Sequence, residues 1–322
     1  MTKKKVLITG GNGFIGKYLA NKLLSEGFAV RIAGRGKKPL KIPQKVEYFQ
    51  VDYHNKENLK TALKGCCGVY HLAAAIYGFN YQDFYKANVV ATRNLVQACN
   101  EKNNIKTFIY VSSLAAGGFT KDVKTVACEA LPPLPTSHYG KTKLEGEFEL
   151  HNLRDDIKHV ILRPPIVYGR NDASTGQIVH WIKKGFMINT TSCGDNYFSF
   201  VYVEDLVQAL FTAFVDAKKF NHQVFYICED AQYSWHYFVS ELSKVLETKT
   251  PKMVSVPKPL LHIVAFLYQL SAKMFKHTPA LNYDKVEEVC VLGHWICTSK
   301  KWISVTNQKF TSLKEGLVKS YK

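Results

Sequence analysis

The sequence is short of acid, of paired cysteines and of any long apolar run. Asp and Glu number 26 against 43 Lys and Arg, a formal charge of +17 over 322 residues. Such an excess favours anionic partners: phosphorylated cofactors, acyl-carrier proteins or acidic lipid surfaces. No recognised nucleic-acid motif accompanies it, so nucleic acid is not expected as a partner. The eight cysteines are scattered without CxxC spacing, which leaves no legible metal site. Cys66 and Cys67 are adjacent and suit reduced thiols better than a disulfide framework. No signal peptide is legible before the first strand, so the expectation is an intracellular, cytoplasmic protein. The longest apolar stretch, Leu260 to Phe275, is broken by His262, Gln269, Ser271 and Lys273 and falls short of a membrane span. It reads as a buried or pocket-lining helix, with peripheral membrane contact as the alternative.

What is present begins near the start of the chain. Val6-Leu7-Ile8 is an apolar run that reads as a buried parallel strand. Thr9-Gly10-Gly11-Asn12-Gly13-Phe14-Ile15-Gly16 follows, and Ile15, Leu19 and Leu23 then recur every four residues, as on one helix face. Strand, glycine turn and helix open a dinucleotide-binding βαβ unit. Gly10 allows the tight turn, Gly13 lets backbone approach a pyrophosphate, and Gly16 lets helix pack on strand. Phe14 and Ile15 lie on the same loop and count as cofactor contacts. The helix N-terminus offers free N–H groups to phosphate.

The second strand, Phe28 to Ala33, ends at Gly34-Arg35-Gly36-Lys37-Lys38. A carboxylate there would hold a ribose 2′-hydroxyl and repel a 2′-phosphate. Gly34 stands at that point, eighteen residues past Gly16, and Arg35 and Lys38 supply positive charge instead. NADP(H) is therefore the preferred cofactor and NAD(H) the second choice. Further strands are read at Val46–Val51, ending at Asp52-Tyr53, at Gly68–Ala75, and at Thr107–Val111, ending at Ser112-Ser113. Leu72, Ala73 and Ala74 lie where a cofactor would pass the strand ends. His71 reads as a packed strand histidine. Tyr81 to Asn100 reads as a long helix carrying Asn88. After a proline-rich loop, Tyr139 and Lys143 stand four apart on one helix face. An ammonium beside a phenol lowers its pKa and fits it for proton exchange with a carbonyl–alcohol pair.

Together these stretches resemble an extended short-chain dehydrogenase/reductase, of the NAD-dependent epimerase/dehydratase superfamily. The matching segments are TGGNGFIG, VDYHN, YHLAAA, KANVVATRNL, YVSS, YGKTK, LRPPIVYG and FVYVEDL, in the family's order. The resemblance implies a doubly wound parallel α/β sheet (Rossmann) with a smaller, mostly helical C-terminal substrate lobe. The expected division is 1–168 plus 199–228 for the dinucleotide domain and 169–198 plus 229–322 for the lobe. It implies Ser113 as catalytic serine, Tyr139 as acid/base, and Lys143 as its pKa tuner and ribose ligand. Asn88 lies beside that site, Pro164 and Val167 line the nicotinamide, and Asp52 and Tyr53 contact the adenine. It also implies a homodimer through the helices at 81–100 and 138–153.

Departures from the family pattern narrow the function. Phe198-Ser199 stands where nucleotide-sugar enzymes usually carry Arg-Asp to hold a diphosphate. Leu114-Ala115-Ala116-Gly117-Gly118 replaces their usual Tyr-Gly, and Tyr202 replaces a frequent histidine. The pattern is nearest the 3β-hydroxysteroid dehydrogenase and dihydroflavonol reductase branch. The expected activity is hydride transfer between NADP(H) and a carbonyl or secondary alcohol on an apolar small molecule. The alternatives are a nucleotide-sugar epimerase or dehydratase retaining its cofactor, and a non-catalytic NADP sensor.

Overall fold

Val6 and Ile8 point to one apolar layer and Leu7 to another, all three fully buried. A strand covered on both faces is the centre of a parallel sheet with helices on either side. The computed structural model describes residues 3–37, 42–189, 196–275, 278–279 and 281–322; Lys38 therefore lies outside the described residues.

The chain opens with β1 (Lys5–Thr9), α1 (Phe14–Ser25), β2 (Ala29–Gly34), β3 (Glu47–Gln50), α2 (Lys56–Ala62) and β4 (Cys66–His71). Then come α3 (Tyr81–Tyr85), α4 (Ala91–Asn100), β5 (Thr107–Val111), α5 (Leu114–Gly117), α6 (His138–Phe148) and β6 (Lys158–Arg163). Next are β7 (Ile166–Tyr168), α7 (Ala173–Lys183), β8 (Phe186–Asn189), β9 (Tyr197–Phe198), β10 (Phe200–Tyr202), α8 (Val203–Val215) and β11 (Gln223–Tyr226). The chain closes with β12 (Tyr233–Ser234), α9 (Trp235–Val245), β13 (Lys252–Ser255), α10 (Lys258–Met274), α11 (Tyr283–Val289), α12 (Lys300–Thr306) and α13 (Leu313–Tyr321).

Seven parallel strands form one sheet in the order β11-β6-β5-β4-β1-β2-β3. This is the Rossmann-like doubly wound arrangement, with the order reversing between β1 and β4. Thr9 pairs with His71 and His71 with Tyr110, so these strands end at one level. A crevice beyond their carboxyl ends is where this topology binds ligands. The rest is mostly helical, but Leu313 and Leu317 of α13 join the same apolar core as Val6 and Ile8.

Two helices differ from the reading of the sequence. The 81–100 helix is continuous, but a π-turn at Lys86–Val90 separates α3 from α4. Helix α10 is not the buried helix expected over 260–275: only Leu261, Ala265 and Ala272 are buried. Leu261 and Ala265 meet Val286 of α11, and around this seam His262 stacks on Tyr283 while Lys258 and His262 pair with Glu287. The apolar residues of α10 run almost all round, so a single seam leaves most of them outside.

Candidate active site

Gly10 has φ +69, and a β-carbon there would lie 2.7 Å from the Ala73 nitrogen, so the turn after β1 admits only glycine. Gly16 is buried one turn into α1. That helix has neither a side-chain cap nor an acid in its first turn, so its N–H groups are available to an anion. Beside it, the Asn12 Oδ1 is buried without a hydrogen-bond partner. The free N–H groups of this helix start fit a dinucleotide phosphate group, whereas the Asn12 oxygen can only accept. Phe14 and Ile15 are half-buried at the same helix start.

At the end of β2, a β-carbon on Gly34 would collide with the Tyr48 hydroxyl and the Asn12 amide. An acid there would have to displace both of these side-chain tips. Arg35 follows with an exposed side chain, while its carbonyl accepts from Gln50 at 3.3 Å. Asp52 is exposed and its Oδ1 accepts from the His54 N–H at 2.9 Å. Tyr53 is drawn inward instead: it packs in the core and its hydroxyl donates to the Ala33 carbonyl at 3.3 Å.

Ser113 caps α5, accepting from the Ala115 N–H at 3.1 Å. Its hydroxyl lies close enough to the Tyr139 phenol to favour the phenol's ionised form. Burial first, then the charge of Glu288, pushes that phenol up to about 12, while Ser113 pulls it down. Tyr139 is therefore a proton donor at neutral pH. Lys143 lies one helical turn further along α6, as its spacing requires. Its ammonium is turned toward β5. It donates to the Val111 carbonyl at 2.8 Å and sits 4.0 Å from the centre of the Tyr110 ring. Burial brings its pKa down to about 7, opposed by the charge of Glu147. Glu147 accepts from Ser112 at 2.5 Å and forms a two-pronged buried pair with Arg163. Fully hydrogen-bonded, that pair fixes α6 against β6 behind the reacting groups.

Asn88, in the π-turn, is a clamp. Its amide accepts from the Ala75 N–H at 2.7 Å and donates to the Ala75 carbonyl and the Thr142 hydroxyl. It thus ties the loop after β4 to α6, and π-turns are frequent at functional sites. Half-buried Leu72, Ala73 and Ala74 lie on this loop, and the Ala73 N–H donates to Thr9. His71 is buried between Thr9 and Thr92 at 2.6 and 2.9 Å. Burial, aided by the charge of Lys143, brings its pKa down to about 3. Thr92 already donates to the Asn88 carbonyl, so it must accept from His71 Nε2–H. The imidazole is a neutral structural link, as the sequence suggested. Pro164 is buried and its carbonyl accepts from Leu114 at 2.8 Å, while Val167 of β7 is half-buried opposite Val201. Tyr202 packs in the core beside Tyr168, with ring centres 5.8 Å apart.

One element of the site was not read from the sequence. Asp284 on α11 accepts from the backbone N–H of His138 at 2.6 Å and of Tyr139 at 3.4 Å. On the same helix, Lys285 and Glu288 pair at 2.5 Å. An acid flanking a helix start was the only available signal, and it arrives from far along the chain. At the lobe side, the Ser199 hydroxyl is committed to the backbone of Cys297, and Phe198 stacks near Trp235. Neither offers a cation for a diphosphate.

The model of the NAD dependent epimerase/dehydratase family matches residues 6–228. The chain belongs to that family. It is similar to the sterol-4-alpha-carboxylate 3-dehydrogenase (decarboxylating) of Mus musculus, 27% identical over 282 residues that cover 83% of this chain and 75% of that one. It is also similar to the N-acetyl-alpha-D-glucosaminyl-diphospho-ditrans,octacis-undecaprenol 4-epimerase of Escherichia coli O157:H7, 28% identical over 314 residues, 91% of this chain and 87% of that one. Among solved structures, the UDP-glucose 4-epimerase of Thermotoga maritima shares the fold with a TM-score of 0.78 at 20% identity, covering 98% of this chain and 97% of that one. As a member of this family, the chain is an NAD-dependent type of enzyme with a Rossmann-like fold.

Proposed function

We propose that this family member is an NADP(H)-dependent oxidoreductase that interconverts a carbonyl and a secondary alcohol on an apolar small molecule. The observation that carries the reading is the nearness of the Ser113 hydroxyl, which follows β5 at the carboxyl edge of the sheet, to the buried Tyr139 phenol. In reduction, Ser113 would hydrogen-bond the carbonyl oxygen, and Tyr139 would give its proton to that oxygen as negative charge develops there. A phenol held near 12 arrives protonated, which suits this direction. The nicotinamide, when bound, supplies or accepts the hydride. Gly10, Gly13 and Gly16 would accommodate its pyrophosphate, Lys143 and Tyr139 its ribose, and Arg35 the 2′-phosphate.

An apolar substrate fits Phe198 and Ser199, which bring no cation for a diphosphate. The sterol dehydrogenase relative agrees with that class. The second reading, a nucleotide-sugar epimerase, is favoured by the relative from Escherichia coli, which aligns over 91% of this chain. A thermal-shift screen separates the two: stabilisation by apolar ketones and alcohols supports the first, and strong stabilisation by UDP-sugars supports the second. A homodimer through the 81–100 and 138–153 helices belongs to the same proposal; exposed Phe148 on the second supports it.

A further inference from the structure

Helix α10 presents an apolar surface that the enzyme chemistry does not use. Leu260, Ile263, Val264, Phe266, Leu267 and Leu270 are each between 45% and 58% exposed, and Met274 and Phe275 at its end about 70%. The covered side is the seam of Leu261 and Ala265 against Val286, with buried Ala272 and with His262 stacked on Tyr283. Side chains on both flanks of that seam stand clear of the protein. A scattered exposed leucine needs no explanation, but a contiguous apolar helix of this kind marks an interaction site.

Charge indicates what it meets. The helix holds no Asp or Glu and carries Lys258 and Lys273 near its two ends. Lys249 and Lys252, exposed on the segment leading into it, add to the same sign. The nearby acid, Glu287, is already paired with Lys258 and His262. With Lys258 balanced by Glu287, a second copy would add only charge of the same sign to Lys249, Lys252 and Lys273. Lipid head groups of opposite charge would be attracted instead, in a chain whose formal charge is +17. No helix among the described residues is long and apolar enough to cross a membrane. An apolar helix with cationic ends and too little length to span lies in the interface plane.

We propose that α10 is a peripheral anchor that seats this protein on an anionic phospholipid bilayer, with Phe266, Leu267 and their neighbours entering the acyl boundary. The anchor packs on α11, whose Asp284 holds the start of the helix bearing Tyr139. The membrane face is thus one helix away from the reacting groups. This claim concerns where the protein sits, and it stands whether or not the substrate is apolar.

The test is sedimentation of the full chain with sucrose-loaded vesicles of phosphatidylcholine, with or without one-third phosphatidylglycerol. Wild type should pellet with the anionic vesicles and much less with the neutral ones, and added salt should weaken binding. Phe266→Glu with Leu267→Glu should lower partitioning by about tenfold or more, since charges are costly in an acyl environment. These side chains are exposed, so the double variant should keep the wild-type melting temperature. Lys273→Glu is a second variant that leaves the apolar face intact and should reduce the preference for anionic lipid. Wild type that stays in the supernatant with both vesicles would overturn the proposal, as would a double variant that sediments like wild type. So would a wild-type dimer that the double variant converts to monomer, which would assign the face to a second copy.

Discussion

The Lys143 ammonium, one helical turn from Tyr139, donates to the main-chain carbonyl of Val111 at 2.8 Å and is buried there. A lysine held there carries a stability cost. Its pKa falls from 10.5 to about 7, so between those values the unfolded chain binds more protons than the folded one. Stability therefore rises with pH across that window, and the full cost is present below pH 7. Lys143→Met should raise the melting temperature by several degrees at pH 6, a gain of order a few kcal/mol. The gain should shrink steadily toward pH 10. Thermal unfolding of both proteins across this range checks it; a gain that does not change with pH would mean the lysine is not the source.

Tyr139→Phe should remove turnover and spare the dinucleotide. The phenol transfers a proton worth about 10²–10⁴ in rate, while the phosphates are held by the glycine turn. Turnover and cofactor dissociation constants measured side by side decide this. A variant that retains most of its activity would exclude Tyr139 as the proton donor.

Much of the sheet and its glycine turn could be read directly, because buried parallel strands and close backbone approach restrict residue types sharply. His71 was legible for the same reason, as a polar group in an otherwise apolar strand. The position of Lys143 was legible from its spacing to Tyr139, but its direction was not. Spacing fixes a helix face, whereas the Val111 carbonyl that captures the ammonium belongs to a distant strand. Tyr53 likewise follows β3 as expected, yet its ring turns into the core toward Ala33. Asp284 lies 146 residues beyond His138, outside the reach of any local pattern. Helix α10 defeated the reading differently. An apolar helix has the same sequence pattern whether protein or another apolar phase covers it.

Cofactor choice is tested at Arg35. Its guanidinium follows Gly34, which supplies no carboxylate to select a ribose 2′-hydroxyl, so NADP(H) should bind more tightly than NAD(H). A charge-assisted phosphate contact contributes roughly 1.5–3 kcal/mol, or ~10–150-fold in affinity. Arg35→Ala should remove most of that gap and leave NAD(H) binding nearly unchanged. Because the arginine is exposed, salt should narrow the gap in the wild type. Titration of both cofactors into both proteins gives the answer, and equal or tighter NAD(H) binding by wild type would return Arg35 to an ordinary basic loop.

Net hydride transfer is the most direct test of the proposed chemistry. Wild-type protein is mixed with NADPH and an apolar ketone, and separately with NADPH and a UDP-sugar, while nicotinamide absorbance and products are followed together. The expected result is stoichiometric loss of NADPH with the ketone, matched by formation of the alcohol, and no reaction with the sugar. Epimer formation from the UDP-sugar without net change in the cofactor, and no oxidation of NADPH by the ketone, would contradict it and make the protein an isomerase.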